Sequence, residues 1–373
     1  MNKHNGNRNG GNGALRVLVV GVGNMGASHA RAYDKIDGFE LAGLCARSIA
    51  KRTDLPERWS NIPRFSSCAE ALETLKPDVV SINTWPDTHA KYAIQAFKAG
   101  AHVFMEKPIA ETVADARKVV AAAKSAKKKL VIGYILRVHP SWVEFVKLAK
   151  GLGKPLVMRM NLNQQSIGQN WTWHKNLMKS LPPIVDCGVH YVDVMCQMTG
   201  AKPTRVHAIG AHLTKEVKTY NYGQLQVEFD DGSVGWYEAG WGPMMSEVAF
   251  FVKDVVGPKG CASIVMAEQG GTVEEGATAT TSADIDTHTK TNAIRLHHSK
   301  LNKDNSLARA DELLRMDDEP GHDELCEREQ LFLLNAIRKN VDLEDHMNDA
   351  VNSLRVVLAA DESIKNKKVV TLR

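Results

Sequence analysis

The sequence predicts an α/β protein in two parts: an N-terminal doubly wound parallel sheet, followed by an α+β part with a large, mostly antiparallel open sheet. Three observations carry this prediction. A glycine-rich turn joins the first apolar run to a helical stretch. Apolar runs and helical stretches then alternate as far as residue 138, and afterwards strand-like runs follow one another without intervening helices.

The glycine-rich turn lies between a predicted strand at residues 15–20 and a predicted helix at residues 27–36. Gly21 permits a tight turn, Gly23 lets a pyrophosphate approach the backbone, and Gly26 lets helix and strand pack closely. The phosphates would lie at the helix N-terminus, where free N–H groups and the helix dipole favour anions. We therefore predict a Rossmann domain that binds a dinucleotide. Its predicted phosphate contacts are Gly21, Gly23, Asn24, Met25 and Gly26.

The end of the second predicted strand, at residues 39–45, indicates which cofactor is bound. An acidic residue about twenty positions after the last glycine binds the ribose 2′-hydroxyl of NAD and repels the 2′-phosphate of NADP. This sequence has no acid there, and Arg47 and Ser48 offer a planar cation and a hydroxyl that suit a phosphate. We predict that NADP is preferred over NAD. The alternative is that Arg47 is a surface residue that opens the next helix.

Three further strands are predicted at residues 79–83, 103–105 and 130–133, with helical stretches at residues 88–98 and 113–126 between them. In a parallel sheet of this kind the carboxyl ends of the strands face the ligand. The candidate cofactor contacts at this edge are Thr84, Trp85, His89, Glu106 and Lys107. The alternatives are that Trp85 is a core residue, and that Glu106 and Lys107 form an ordinary strand-end ion pair before the turn residue Pro108.

The change of pattern after residue 138 sets the predicted division of the chain. We assign residues 14–138 to the dinucleotide-binding domain and residues 139–373 to a substrate-binding and oligomerisation domain, whose last helix could pack back on the first. Residues 1–13 are rich in Gly and Asn and are predicted to be a disordered tail. Residues 272–292, rich in Thr, Ala and Asp, are predicted to form a long mobile surface excursion.

A predicted helix at residues 183–198 carries the candidate acid and base. Asp186, His190 and Asp193 are spaced by four and three residues, so they would line one flank of it. Oxidation of a secondary alcohol needs a base for the hydroxyl proton while hydride leaves for nicotinamide, and imidazole titrates in the right range. Lys107 could stabilise the developing alkoxide. The alternative is that Asp186 only satisfies a partly buried His190.

Aromatic and basic residues that precede this helix are candidates for a substrate wall: Trp171, Trp173, His174 and Lys175. Aromatic faces suit the apolar side of a sugar ring, and Lys175 or Arg159 could bind a carboxylate. The alternative for the tryptophans is domain packing. The predicted substrate contacts are Lys107, Trp173, His174, Asp186 and His190, and the predicted catalytic residues among them are Lys107, Asp186 and His190.

Three motifs in order, GVGNMG, EKP and DCGVHYVD, resemble those of the glucose-fructose oxidoreductase, inositol dehydrogenase and rhizopine-catabolism (Gfo/Idh/MocA) family. The likeness runs from Leu15 to the end of the chain. It implies that Lys107 matches the EKP lysine, that Asp186 and His190 match the D-x-G-x-H acid and base, and that Arg137 matches an arginine near the end of the first domain, here a further candidate cofactor contact.

The resemblance also implies a larger second domain whose open sheet forms the interface of a homodimer or homotetramer, and a cis peptide before Pro108. The sequence departs from the family in two places. Leu181-Pro182-Pro183 stands where a Gly-Gly pair is common, and Ile135-Leu136 stands where Asn often precedes the arginine. Both differences bear on the substrate and leave the catalytic trio intact.

Composition excludes several other classes of protein. The net charge of the 373 residues is +4, and Lys and Arg are dispersed, so no nucleic-acid partner is predicted. No apolar run approaches the roughly 20 residues of a membrane span. The six cysteines have no paired C-x-x-C spacing, which argues against a disulfide framework or a thiolate metal site, and we predict a cytoplasmic protein without a metal.

The function predicted from the sequence is therefore hydride transfer between NADP or NAD and a sugar, sugar acid or cyclic polyol. Two alternatives stay open at this point. One is a glycosidase of related fold that retains NAD and produces no net NAD(P)H. The other is a non-catalytic sugar or dinucleotide sensor, which the presence of Lys107 and His190 disfavours.

Overall fold

The computed structural model describes residues 13–246, 252–265, 289 and 291–372. They belong to two units, the first made of Met1–Gly133 and Asp323–Met347 and the second of Tyr134–His322 and Asn348–Arg373. The predicted tail at residues 1–13 lies outside the described residues except for Gly13. The predicted excursion at 272–292 lies outside them except for Thr289, Thr291 and Asn292.

The first unit is built on parallel strands: β1 (Leu15–Val20), β2 (Phe39–Cys45), β3 (Arg64–Phe65), β4 (Val79–Ile82), β5 (His102–Glu106) and β6 (Leu130–Gly133). In the described part of this unit they form one six-stranded sheet in the order β3-β2-β1-β4-β5-β6, with every pair parallel. Val17, Leu18 and Val19 in β1 are completely buried, as expected for a sheet covered on both faces. The predicted doubly wound sheet is confirmed.

The helices of this first region are α1 (Asn24–Lys35), α2 (Cys68–Leu75), α3 (Pro86–Lys98) and α4 (Val113–Ala126). Their ends follow local chemistry. Thr112 caps α4 by accepting a hydrogen bond from the Asp115 N–H at 3.1 Å, and Pro86 begins α3, where a missing N–H costs nothing. In contrast, Gly23 precedes α1 without any side-chain cap.

The second unit contains the strands β7 (Val157–Gln165), β8 (Pro203–Ala211), β9 (Tyr222–Phe229), β10 (Val234–Gly242), β11 (Lys253–Gly257), β12 (Gly260–Val265), β13 (Ala293–His298), β14 (Glu312–Arg315) and β15 (Val370–Thr371). Its described residues form one nine-stranded sheet in the order β14-β13-β12-β11-β7-β10-β9-β8-β15. Only the β7 and β10 pair is parallel among these described strands. The predicted mostly antiparallel sheet is confirmed.

One face of this sheet is buried and the other carries exposed apolar side chains. Met158 and Tyr237 are buried, whereas Val157, Val234 and Val256 are 38–43% exposed. These three valines are neighbours, because Val157 pairs with both Val234 and Val256 in register. The outer face therefore has an apolar patch in the middle of the sheet, which we call the valine patch.

The helices that accompany this sheet are α5 (Pro140–Gly151), α6 (Gly168–Leu177), α7 (Pro183–Asp186) and α8 (Gly188–Thr199). The prediction of one continuous helix at 183–198 is wrong, because the helix ends at Asp186 and a new one begins at Gly188. A Cβ at Gly188 would lie 2.9 Å from Val357 Cγ1, and Tyr237 lies next to the same position. Close packing at Gly188 thus coincides with the break between α7 and α8.

Two helices follow near the C-terminus, α9 (His322–Arg338) and α10 (Glu344–Asn366). Leu333 and Leu334 of α9 belong to the same buried cluster as Tyr33 and Phe39, so α9 completes the core of the first unit. No helix among the described residues combines the length and apolar character needed to cross a membrane. Short elements that the sequence did not indicate are β3, α2, α6, β13 and β14.

Candidate active site

The glycine turn after β1 has the shape that the sequence predicts. Gly21 has φ +85°, and a Cβ there would lie 2.5 Å from the Asn83 carbonyl oxygen. A Cβ at Gly26 would collide with the Gly21 carbonyl oxygen, whereas a Cβ at Gly23 would meet no atom within 4 Å. Because Gly23 borders open space and α1 has no side-chain cap, the turn fits the pyrophosphate of a dinucleotide.

The end of β2 bears the residues predicted to select the cofactor. Arg47 and Ser48 are both exposed directly after the strand. Sequence reasoning missed Arg52, whose guanidinium donates to the Val22 carbonyl oxygen inside the glycine turn and pairs with Asp54 at 2.5 and 2.7 Å. A second cation therefore lies beside the turn. The spacing from the glycines could not indicate it, because Arg52 follows a short 3-10 helix at Ile49–Lys51.

The end of β4 leads into α3 through Thr84 and Trp85. The side chain of Trp85 is 45% exposed, so the interpretation of Trp85 as a core residue does not hold. The Thr84 hydroxyl lies 2.6 Å from that of Thr88. His89 is completely buried, and its Nδ1 and Nε2 lie 2.8 and 2.9 Å from the carbonyl oxygens of Pro108 and Thr84. His89 therefore links the ends of β4 and β5 from within the core.

The end of β5 carries Glu106, Lys107 and Pro108, and the Lys107-Pro108 peptide bond is cis, as the resemblance implied. Glu106 is buried and its Oε1 lies 2.8 Å from Nε2 of the fully buried His29. Burial alone would raise the pKa of Glu106, but the hydrogen bond from His29 and the charge of Lys107 hold the pKa below its ordinary value. Glu106 is thus a charged residue in the core, adjacent to half-buried Lys107.

In the second unit, Asp186 ends α7 and His190 lies in the first turn of α8. Asp186 is buried and His190 is partly exposed. The His190 N–H donates to the Cys187 carbonyl oxygen at 3.1 Å, and its ring meets the edge of Tyr134 at 5.8 Å. The break between the helices therefore separates the candidate acid and base, although both remain in this one segment.

Asp193 does not share the environment predicted for the flank of Asp186 and His190. Its carboxylate accepts two hydrogen bonds from Arg137, at 2.8 and 2.5 Å, and Arg137 also pairs with Asp349 at 2.7 Å. Gln197 donates to the same carboxylate at 2.9 Å. Arg137 is thus engaged by two carboxylates within the second unit, and its role as a cofactor contact stays a prediction.

A polar cluster around Gln164, which sequence reasoning missed, lies next to Cys187. Gln164 Oε1 accepts a hydrogen bond from Trp241 Nε1 at 2.7 Å and lies 3.8 Å from Cys187 Sγ. His174 stacks on the Trp241 ring with centroids 4.3 Å apart, and its Nδ1 lies 2.6 Å from the Ser166 hydroxyl. The polar run Asn163-Gln164-Gln165 at the end of β7 was the available signal.

The predicted substrate wall on α6 divides into buried and exposed residues. Trp171 is buried and donates to the Glu216 carboxylate at 3.3 Å, which favours packing for this residue, whereas Trp173 is 46% exposed. Lys175 also pairs with Glu216, at 2.8 Å. Arg159 lies on β7 and pairs with Asp254. Lys175 and Arg159, the two residues predicted to bind a substrate carboxylate, thus already pair with carboxylates of the protein.

A buried lysine near α8 was not indicated by the sequence pattern. Lys253 is almost completely buried, its Nζ donates to the Asn161 carbonyl oxygen at 2.7 Å, and it lies 5.6 Å from the Tyr191 ring centroid. Burial lowers the pKa of Lys253 to about 7. Lys253 contacts α8 through the Tyr191 ring, and we assign Lys253 no step in catalysis.

Comparison with known proteins gives two family matches along the chain. Residues 15–134 match the profile described as "Oxidoreductase family, NAD-binding Rossmann fold". Residues 148–261 match the profile described as "GFO/IDH/MocA C-terminal domain". The first match covers the glycine turn and Lys107, and the second covers Asp186 and His190.

Similar proteins include sugar and polyol dehydrogenases. The chain is 29% identical to UDP-N-acetylglucosamine 3-dehydrogenase of Acidithiobacillus ferrooxidans over 52% of this chain and 58% of that protein. It is 28% identical to inositol 2-dehydrogenase of Paracoccus denitrificans over 48% and 53%. The chain thus spans little more than half the length of these relatives. A crystal structure of an NAD binding oxidoreductase from Klebsiella pneumoniae aligns with a TM-score of 0.76 at 20% identity, over 96% of this chain and 99% of that one, which shows a shared fold.

Proposed function

The chain belongs to the Gfo/Idh/MocA oxidoreductase family, and from this premise we propose that it is an NAD(P)-dependent dehydrogenase. The reaction is hydride transfer between nicotinamide and a secondary alcohol or ketone of a sugar, sugar acid or cyclic polyol. One observation carries the proposal: the first unit presents both an open glycine turn at Gly23 and a lysine, Lys107, at the end of β5. The sugar and polyol dehydrogenases among the similar proteins support the substrate class.

We propose that residues 14–138 bind the dinucleotide and residues 139–373 bind the substrate. When bound, the nicotinamide supplies a hydride acceptor or donor. His190 takes the proton from the substrate hydroxyl in oxidation and returns it in reduction. Lys107 donates a hydrogen bond to the same oxygen and stabilises the developing negative charge, and Asp186 orients the base. Trp173 and His174 line the substrate.

The proposed function is tested by a screen of sugars, sugar acids and inositols with each nicotinamide cofactor, in which NAD(P)H absorbance is recorded. Turnover of at least one of these compounds is expected. Product formation from a glycoside with retained cofactor and no net NAD(P)H would instead favour the glycosidase alternative. Binding of a sugar without any turnover would favour the sensor.

We further propose that NADP is the preferred cofactor because Arg47 and Ser48 are exposed after β2 and no acid stands there. Arg47→Ala is expected to raise KM for NADP by about 10- to 100-fold, since a hydrogen bond to a charged group contributes about 1.5–3 kcal/mol. The KM for NAD should stay within about twofold. Steady-state kinetics with both cofactors measures the effect.

The matched control for this substitution is Arg117→Ala, which removes an exposed arginine from α4. It should leave both KM values unchanged. Equal or better use of NAD by the unmodified protein would contradict the preference for NADP. If Arg47→Ala raised KM for NADP and NAD equally, Arg47 would not bind the 2′-phosphate.

We also propose that the nine-stranded sheet forms a homodimer or homotetramer interface through the valine patch of Val157, Val234 and Val256. Val157→Lys would place a charge in a desolvated contact, so the particle mass is expected to fall to that of the monomer at micromolar concentration. Light scattering after size exclusion measures this mass. Val143→Lys, at an exposed position on α5, is the control and should keep the oligomer. A monomeric unmodified protein would contradict the proposal.

A further inference from the structure

We propose that Glu106 is the positioning residue for Lys107, held in place by a directional chain of hydrogen bonds that begins at Tyr33 on α1 and passes through Gln330 on α9. The inference rests on the proposed function, because it gives Glu106 the task of fixing the amine that we place at the reacting oxygen. Glu106 was predicted to contact the cofactor. Its burial and its partners in the core assign it a different role.

The chain has four hydrogen bonds in the first unit. The Tyr33 hydroxyl donates to Gln330 Oε1 at 2.5 Å, and Gln330 Nε2 donates to His29 Nδ1 at 2.9 Å. His29 Nε2 lies 2.8 Å from Glu106 Oε1. Finally, the backbone N–H of Lys107 donates to Glu106 Oε2 at 3.3 Å. The two carboxylate oxygens thus connect the core to the backbone of the lysine.

The direction of the chain follows from the chemistry of each group. Because the Tyr33 hydroxyl donates to the Gln330 carbonyl oxygen, the Gln330 amide presents its N–H to His29. Nδ1 of His29 is therefore the acceptor, and the ring proton lies on Nε2, where it is donated to Glu106. A neutral imidazole satisfies both neighbours at once. A charged Glu106 is the acceptor that this arrangement requires.

The residue after Lys107 is held separately. His89 Nδ1 lies 2.8 Å from the Pro108 carbonyl oxygen, and His89 Nε2 lies 2.9 Å from the Thr84 carbonyl oxygen. Two buried imidazoles therefore hold the turn, His29 through the residue before Lys107 and His89 through the residue after it. Such fixed support is what precise placement of a reacting group requires.

A second buried glutamate, Glu329, offers a matched comparison. Glu106 and Glu329 are 8% and 3% exposed in the same unit. Burial and then the charge of Glu106 raise the pKa of Glu329 well above its ordinary value, so Glu329 is neutral while Glu106 is charged. The other titratable groups facing Glu106 are His29 on α1, His89 on α3, Lys107 directly after β5, and Cys326 on α9. Burial raises the pKa of Cys326.

The same region could be read as a metal site, because His29, Cys326 and Glu329 each place one ligand atom within 4.8 Å of the others. The hydrogen bonds argue against this reading. Both ring nitrogens of His29 are engaged, one by Gln330 and one by Glu106, and a metal requires a free lone pair on the imidazole.

The test compares Glu106→Gln with Glu329→Gln in the full chain. Glu106→Gln is expected to lower kcat by about 10- to 100-fold while KM for the cofactor stays within about threefold. It should also shift the alkaline limb of the kcat profile to lower pH, because the Lys107 ammonium loses a neighbouring negative charge. Glu329→Gln replaces an uncharged carboxyl group with an uncharged amide of similar size, so kcat should stay within about twofold.

Several outcomes would overturn the inference. These are a normal kcat and alkaline limb in Glu106→Gln, an equal loss in Glu329→Gln, or bound zinc at one equivalent per chain that Glu329→Gln removes. The Lys107→Met variant distinguishes failure of the proposed function from failure of this inference. An active Lys107→Met variant overturns both the role of Lys107 and the role of Glu106. An inactive Lys107→Met variant beside a Glu106→Gln variant with normal kcat overturns only the role of Glu106.

A second variant keeps the test decisive if Glu106→Gln does not fold. Gln330→Met removes the donor to His29 without changing any charge, and it is expected to lower kcat by about 3- to 10-fold without moving the alkaline limb. An unchanged kcat in Gln330→Met would overturn the hydrogen-bond chain. Thermal unfolding and dinucleotide binding of each variant, measured beside kcat, separate a folding defect from a misplaced lysine.

Discussion

Lys107→Met is expected to lower kcat by about 10²–10³-fold, while the Kd of the dinucleotide changes by no more than a few fold. The reason is that the ammonium is proposed to stabilise the oxyanion of the substrate, and loss of one such donor typically removes about 10²–10³ in rate. Methionine preserves the length of the side chain, so the effect should reside in the missing charge and donor. Steady-state kinetics with the substrate measures kcat, and a binding titration with the dinucleotide measures Kd.

The control for this experiment is Lys118→Met, which removes an exposed lysine of α4 that pairs only locally with Asp115 at 2.8 Å. It should keep the kcat of the unmodified protein, since an exposed pair contributes little. Near-normal activity of Lys107→Met on a confirmed substrate would contradict the assignment. A large loss of cofactor affinity would show instead that Lys107 acts mainly in binding the dinucleotide.

The parts of the fold that the sequence predicted well are those with a dense local signal. Strands at residues 15–20, 39–45 and 130–133 and the helix at 113–126 have the predicted bounds. The strands are mostly apolar runs and the helix is an amphipathic stretch that follows a capping residue, so each element is determined by its own residues. The glycine turn is local in the same sense, because three glycines have to meet steric limits within six residues.

The features that escaped prediction depend on contacts between distant parts of the chain. The break between α7 and α8 coincides with Val357 packing close to Gly188, 169 positions away by residue number (357 − 188). The parallel pairing of β7 and β10 likewise depends on the whole sheet, because the sequence of neither strand indicates whether its neighbour runs parallel or antiparallel.

The candidate site shows the same contrast. The motif EKP identified Lys107, but nothing near it indicated that Glu106 is buried against His29 or that Gln330, more than 200 residues later, orients that imidazole. Gln164 was missed because a polar residue at a strand end has many uses, and only its bond to Trp241 distinguishes it. Chemistry-bearing motifs are therefore visible in the sequence, whereas the residues that support them come from the fold.

His190→Asn is expected to lower kcat for alcohol oxidation by about 10²–10⁴-fold, the usual contribution of a positioned base. It should also remove the acidic limb of the pH profile. In the unmodified protein the neutral imidazole accepts the hydroxyl proton, so kcat falls towards acid pH as the base becomes protonated. Asparagine has no group that titrates in this range, so the residual kcat of the variant should be independent of pH there.

His102→Asn is the matched control, because burial, followed by the charges of Lys128 and Lys129, lowers the pKa of His102 to about 4. His102 is therefore neutral in an assay from about pH 5 to 9 and cannot produce the acidic limb there. Its loss should leave the profile in place. If the acidic limb persists unchanged in His190→Asn, another group accepts the proton. Asp186 would then be the first residue to test, since it ends the helix immediately before the one that carries His190.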